Sequence, residues 1–214
     1  MVMNHQAGVL QALHLGRVLD NSDPETRGRL QVEILNTGMQ LWAACMTSSA
    51  GQGYGISCLP KVDEIVVLAF LSPELPVVLG AVWSGGSSHP GDAQAVEDKY
   101  SLISPQGTRV ILDDSDGPKV NIQTSSGYHL TITEASGGEI KIEKGSESVT
   151  LSTSGISIVS ASTVEVQASQ VNVSAGMVKV DAAMSQFSGV VKCDTLIATS
   201  VVGTSYTPGA GNIW

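Results

Sequence analysis

From residue 100 onward the chain repeats one small unit. Two apolar residues flank a single residue, and a run containing Gly, Ser, Asp, Asn or Thr follows. The first doublets are Val110 with Leu112, Val120 with Ile122, Leu130 with Ile132 and Ile140 with Ile142, at ten-residue steps. They continue as Val149 with Leu151, Ile156 with Ile158, Val164 with Val166, Val171 with Val173 and Val178 with Val180, at seven to nine. Residues two apart point to the same side of a strand, so each unit reads as a strand with one apolar face. A fixed period means stacked units, as in a β-solenoid or β-helix. Two apolar residues per step line only a thin core, and one chain coiled around it would bury little. Three chains about one axis close a triangular prism and leave no open strand edge. These eighteen residues are therefore the predicted core of a trimeric, triple-stranded β-helix. Stacked at ~4.8 Å, about thirteen steps predict a rod on the order of 60 Å long. The shortening step predicts a taper toward the C-terminus.

Before this repeat lies a different grammar. Gly16-Arg17-Val18-Leu19-Asp20 reads as a strand, and the turn residues Asn21-Ser22-Asp23-Pro24-Glu25 follow it. Arg29-Leu30-Gln31-Val32-Glu33-Ile34 alternates strictly, so one face is buried and one is wet. Leu41 to Met46 is a third strand. Ile65-Val66-Val67-Leu68-Ala69-Phe70, almost wholly apolar, is expected to be buried on both faces. Pro76 to Trp83 is the fifth. Five strands in so short a span predict a closed or partly closed barrel of the oligonucleotide/oligosaccharide-binding (OB) type. The predicted organisation is all-β. Residues 1–14 form an N-terminal segment, 15–83 an OB-fold barrel, 84–99 a short connector, and 100–187 the intertwined prism. Residues 188–214 form a tapered tip ending in a Gly/Pro-rich apex with a terminal Trp.

Composition narrows the function. The chain has 20 acidic and 11 basic residues among its 214, a net charge of −9. Nucleic acid binding calls for a basic stripe that displaces counterions, and the sequence has none. Anionic membrane surfaces are disfavoured for the same reason. Charged residues are only 14% while Val and Ile are ample, which argues against disorder. No apolar run approaches the ~20 residues of a membrane span. The first residues lack the basic region of a secretory signal. Cys45, Cys58 and Cys193 are too few and too scattered for a disulfide framework or a zinc site, and they read as buried thiols. Reduced thiols fit assembly in a reducing cytoplasm.

A small barrel followed by a tapering β-prism resembles the central spike proteins of contractile phage tails, the baseplate assembly protein V family, with kinship to the VgrG spikes of type VI secretion. The resemblance is carried by Gly16-Arg17-Val18, Asp23-Pro24 and Gly28-Arg29-Leu30-Gln31-Val32. It continues through Leu59-Pro60-Lys61-Val62-Asp63-Glu64-Ile65-Val66-Val67-Leu68-Ala69-Phe70 and Pro76-Val77-Val78-Leu79-Gly80-Ala81-Val82-Trp83. Ile111-Leu112-Asp113-Asp114-Ser115-Asp116-Gly117 is similar to the family's transition into the β-helix. The resemblance implies a homotrimer on the tail baseplate of a virion assembled in the host cytoplasm. Its barrels dock on a hub protein ring, and its prism pierces the host envelope, touching the outer membrane transiently, when the sheath contracts. Arg17, Arg27 and Arg29 cluster early in the barrel and are candidate hub or intersubunit contacts, with solvated arginines the equal alternative. Many small members bind iron at the tip through a His-x-His motif. The histidines here are His5, His14, His89 and His129, so no iron or other cofactor is expected. Either Tyr206, Pro208, Ile213 and Trp214 close a metal-free apex, or a separate tip protein caps it.

Other motifs favour structural readings. Gly51-Gln52-Gly53-Tyr54-Gly55 lacks the third glycine of a dinucleotide loop and any following helix pattern, and reads as a barrel loop. Asp113-Asp114-Ser115-Asp116-Gly117 has Gln123 where a calcium loop needs Glu, and reads as a turn. No nucleophile elbow and no HExxH is present, so no enzyme is expected. Trp42 and Trp83 sit in apolar strands and read as core. The alternative function is a β-solenoid tailspike that binds or degrades surface polysaccharide. Such a spike needs paired carboxylates and aromatic platforms, and 100–214 is poor in aromatics.

Overall fold

A computed structural model describes residues 13–86, 88–93 and 97–205. The chain divides into two units, Met1–Val164 and Glu165–Trp214.

The first unit opens with the barrel. Its strands are β1 (His14–Asp20), β2 (Arg29–Ile34), β3 (Gln40–Cys45), β6 (Ile65–Ser72) and β7 (Leu75–Val82). They close in the order β1-β2-β3-β7-β6, with β3 and β7 parallel and the other pairs antiparallel. All five strands coincide with those read from the sequence. Two further short strands, β4 (Ala50–Gly51) and β5 (Tyr54–Gly55), form a hairpin outside the barrel sheet. The glycine-rich motif at 51–55 is this hairpin, a loop as predicted.

Alternation decides which residues enter the barrel. In β2, Leu30, Val32 and Ile34 are buried while Arg29, Gln31 and Glu33 stay half-exposed. Val18, Leu30, Val32, Ala43, Val66, Leu68 and Val78 make one core cluster. Gly16 is there for closeness of approach. A Cβ at this position would lie 2.3 Å from Val32 Cγ1 and 2.5 Å from Leu68 Cδ1. The expectation of burial on both faces fails for β6. Val66 and Leu68 are buried, but Ile65, Val67, Ala69 and Phe70 are half-buried. A closed five-stranded barrel has one interior, and it admits every second residue only.

Seven strands follow: β8 (Lys99–Ile103), β9 (Arg109–Asp113), β10 (Lys119–Gln123), β11 (His129–Thr133), β12 (Glu139–Lys144), β13 (Glu147–Ser152) and β14 (Gly155–Val159). They form one antiparallel sheet in sequence order. The sequence predicted coiling from the first doublet. Within one chain the doublets from 110 to 158 build this meander and no coil.

The ten-residue step has a local cause. Strands of five residues alternate with five-residue links, and Gly107, Gly117, Gly127 and Gly137 hold the fourth place of each link at φ of 85° to 99°. Gly107 N–H donates to the Ser104 carbonyl (2.9 Å) and Ser104 N–H to the Thr108 carbonyl (2.8 Å). This is a type I turn closed by a left-handed residue, the usual three-residue hairpin loop. The same pair of bonds recurs at Thr124, Gly127 and Tyr128. From β12 onward the step shortens because the links shrink. Lys144 pairs directly with Glu147, and Ser152 with Gly155. Strand length is almost constant, so the shorter step over these strands comes from tighter turns.

The uniform prism predicted over 100–187 divides at residue 160. Among the described residues, 160–205 form no strand within the chain. Six predicted core residues fall in this stretch and are corrected here. Val164 is 57% exposed, Val166 71%, Val171 60%, Val173 71%, Val178 63% and Val180 71%, so none of them is core within one chain. The physical reason is pairing: without a neighbouring strand, no layer lies above or below a doublet to cover it. Among the described residues of the second unit there is one ion pair, Lys179–Asp181 at 3.6 Å. The predicted apex of Tyr206, Pro208, Ile213 and Trp214 lies outside the described residues.

Candidate functional site

The strand register brings the earlier doublets together. Tyr100, Leu112, Val120, Ile132, Ile140, Leu151 and Ile156 are successive cross-strand partners, and form one ladder. Leu102, Val110, Ile122, Leu130, Ile142, Val149 and Ile158 form a second. Strand residues two apart share a face, so both ladders lie on the same side of the sheet. Six interstrand gaps make each ladder about 30 Å long.

Among the described residues of the first unit, none covers this face. Exposure reaches 76% at Tyr100, and none of the fourteen residues is buried. Twelve of the eighteen predicted core residues, from Val110 to Ile158, are therefore aligned by one chain but not enclosed by it. Single exposed apolar side chains are ordinary, whereas an unbroken apolar face marks a contact surface.

The opposite face carries the polar chemistry. Lys99 pairs with Asp113 at 3.3 Å, and Thr131 Oγ1 donates to Asn121 Oδ1 at 3.0 Å. Lys141 pairs with Glu143, whose carboxyl is held below its ordinary range by the Lys141 bond. These groups satisfy one another, as a water-facing side requires. The Asp113 to Gly117 motif is the predicted turn. Ser115 donates to Asp113 Oδ1 through its hydroxyl (2.5 Å) and its N–H (3.0 Å). These bonds, with Lys99 beside it, bring the Asp113 carboxyl down to about 2. Among the described residues no three His, Cys, Asp or Glu side chains converge as a metal ion would need.

Where the chain leaves the sheet, Glu147 Oε1 accepts a bond from Ala161 N–H at 3.0 Å. Bonds from Ser160 and Ala161 hold its carboxyl below the ordinary value.

The arginines read as candidate contacts separate sharply. Arg29 is spent within its own chain, on the outer side of the barrel wall. Its Nε and Nη2 donate to the two oxygens of Asp23 at 3.0 and 2.8 Å, and its guanidinium lies 5.5 Å from the Trp42 ring centre. Asp23 also accepts the N–H groups of Glu25, Arg27 and Arg29, and its side chain is 2% exposed. This clasp ties the β1–β2 turn to the first residue of β2. Arg27 pairs with Glu25 at the surface. Arg17 is exposed and has no acidic partner among the described residues, so of the three it is the one free for an outside contact.

The clasp makes a pH prediction. Arg29 holds the Asp23 carboxyl well below its ordinary value of about 3.9. A depressed folded-state value means that the clasp contributes fully above that pH and is lost as pH falls toward the folded value. Asp23→Asn therefore lowers the melting temperature at neutral pH. The gap from the unaltered protein closes as pH drops below about 4. Thermal melts from pH 7 to pH 2 read this directly, and a gap independent of pH would refute it.

Two burial expectations are corrected. Trp42 is half-exposed beneath Arg29, and Trp83, 68% exposed, meets His89 edge-on with ring centres 4.5 Å apart. Neither is core. Cys45 is half-buried, and its thiol is pushed up by that burial, while Cys58 and Cys193 are exposed. The sequence reading missed the buried His14, which packs edge-on against Phe70 with centroids 5.8 Å apart. Its place two residues before Gly16, on the inward phase of β1, was the available signal.

The fold and this surface define a class: an OB-type barrel joined to a sheet with one exposed apolar face. Residues 14–83, the span of the barrel, match the family model of the type VI secretion system/phage-baseplate injector OB domain. The match supports the resemblance to baseplate spikes over the segment that carries Gly16, Asp23 and Arg29. No curated protein matches the chain.

Proposed function

We propose that the chain is the central spike of a contractile-tail baseplate, and that it works as a homotrimer. The observation that carries this reading is the uncovered fourteen-residue ladder face next to an injector-type barrel. Fully burying a Val, Leu or Ile side chain is worth about 1.5–3 kcal/mol, so three such faces turned toward one axis supply a large driving force. Two modes of association follow. Over β8–β14 each chain contributes a preformed sheet, and contact is by side chains. Beyond residue 160 the valine doublets have no partner strand among the described residues, and strands of the other copies pair with them as a triple-stranded β-helix.

Such a spike does no bond chemistry. The barrels dock on the baseplate hub ring, and the force of sheath contraction passes through the trimer into the host envelope. Chains that share strands separate only by breaking many hydrogen bonds together, which makes the assembly kinetically stable. The place of action is the tail baseplate of the virion, and the tip is either metal-free or capped by another protein. Light scattering on the purified protein is the test. The expected mass is three times the 22.2 kDa of one chain. A monomer at micromolar concentration would overturn the proposal, and images of contracted particles test the piercing step.

A further inference from the structure

The barrel carries a second feature that neither the barrel core nor the ladder face explains. Between Cys45 and Lys61 the chain holds no charged residue, although the protein as a whole has 31. This segment is not a loose loop. Met46 N–H donates to the Val78 carbonyl at its base (2.9 Å), and Ile56 N–H to the Ser49 carbonyl across the hairpin (3.0 Å). Thr47 Oγ1 donates to the Ile56 carbonyl at 2.8 Å. The Tyr54 ring lies directly on Gly51, where a Cβ would come within 2.2 Å of Tyr54 Cζ. Gly55, at φ 144°, brings the returning strand so near that a Cβ would stand 2.5 Å from the Ser49 carbonyl oxygen. At the far end Leu59 packs on the barrel core, and the Pro60 carbonyl accepts from Asn21 Nδ2 at 3.1 Å.

The result is a braced arm whose apolar residues face outward. Met46 is 57% exposed, Tyr54 72% and Ile56 56%. Charge depletion with exposed Tyr and Met is the composition of an interface centre. Bracing before contact lowers the ordering cost of binding. The base of the arm, at Cys58 and Leu59, forms one wall of a groove of about 570 Å³, and Leu102 and Val110 form part of the other. Leu102 and Val110 are also the first two members of the second ladder.

We propose that the arm at 46–60 is an intersubunit clamp that docks on a second copy of this chain. The argument is continuity. Whatever covers Leu102 and Val110 on the ladder face already stands at the mouth of the groove, and the trimeric reading gives that cover to another copy. The proposal rests on that reading, and the clamp adds the barrel to the subunit contact.

The native Cys58, exposed in the single chain and set in the groove wall, is the probe. The full-length protein, purified without any hub protein, is alkylated with iodoacetamide, and modification at Cys58 is followed by mass spectrometry. The same protein in urea gives the unprotected rate. A trimer in which Cys58 labelling is lost supports the clamp. Tyr54→Ser combined with Ile56→Ser restores that labelling while the mass stays trimeric. A trimer in which Cys58 reacts as fast as in urea overturns the clamp and leaves the trimeric reading standing. If labelling is then lost only on adding the hub ring, the arm faces another protein, and the clamp is equally overturned. A monomer with reactive Cys58 removes both.

Discussion

Ile132→Glu is expected to turn the trimer into a monomer. Ile132 lies on the central strand β11, between Val120 and Ile140 in the first ladder. In the proposed assembly its side chain is enclosed by two other copies. A carboxylate there loses its water and gains no cationic partner, since no member of either ladder carries a charge. The penalty for such a buried charge is several kcal/mol, and the trimer incurs it three times. The neighbouring residue supplies the control. Thr131 points to the polar face, so Thr131→Glu, although it gives up the Asn121 bond, keeps its charge in water. Its effect on assembly is expected to stay within about 1 kcal/mol. Light scattering and sedimentation on the two variants decide the matter. Monomer for position 132 with trimer for position 131 is the expected pair, and equal behaviour would show that the ladder face is not the contact.

The second large effect is in the barrel. Leu30 is fully buried in the core cluster shared by all five strands. Leu30→Ala removes its packing and leaves a cavity, at a cost of about 2–5 kcal/mol. Domains of this size hold only about 5–15 kcal/mol in total, so the barrel should melt upwards of about 10 °C earlier. No ladder residue belongs to this cluster, so the contacts proposed for the sheet should be unaffected. Calorimetry is expected to show the barrel transition shifted and the sheet transition in place. A shift of both together would mean that barrel and sheet unfold as one cooperative unit.

The parts of the molecule were unevenly legible in the sequence. The five barrel strands were readable because each is a short apolar or alternating run, and the one with Leu30, Val32 and Ile34 alternates strictly. The turns were readable too. Asp23 reads as a turn residue, but the clasp of Asp23 on Arg29 needed the folded geometry, because nothing local announces that a guanidinium six residues away will return to it. From the sequence, Arg29 therefore reads as a hub or intersubunit contact or, equally, as a solvated arginine. Burial was the least readable property. Trp83 and the cysteines were assigned to a core by residue type, whereas the described residues form a core only inside the small barrel. Ile65, Val67 and Ala69 were over-buried for the same reason. So were Val166, Val173 and Val180, which repeat the doublet spacing yet stand exposed in the single chain.

For the ladder face, the doublets fixed strand character and sidedness, because a spacing of two is a local property of extended chain. Tertiary structure decided what the spacing could not contain: that β8 to β14 pair with one another in order, so that the doublets fall into two straight ladders. It also placed the change at residue 160, beyond which the same valine spacing finds no partner strand among the described residues. Pairing and cover are relations between distant segments, and the energy that selects them is in the contact and not in either strand alone.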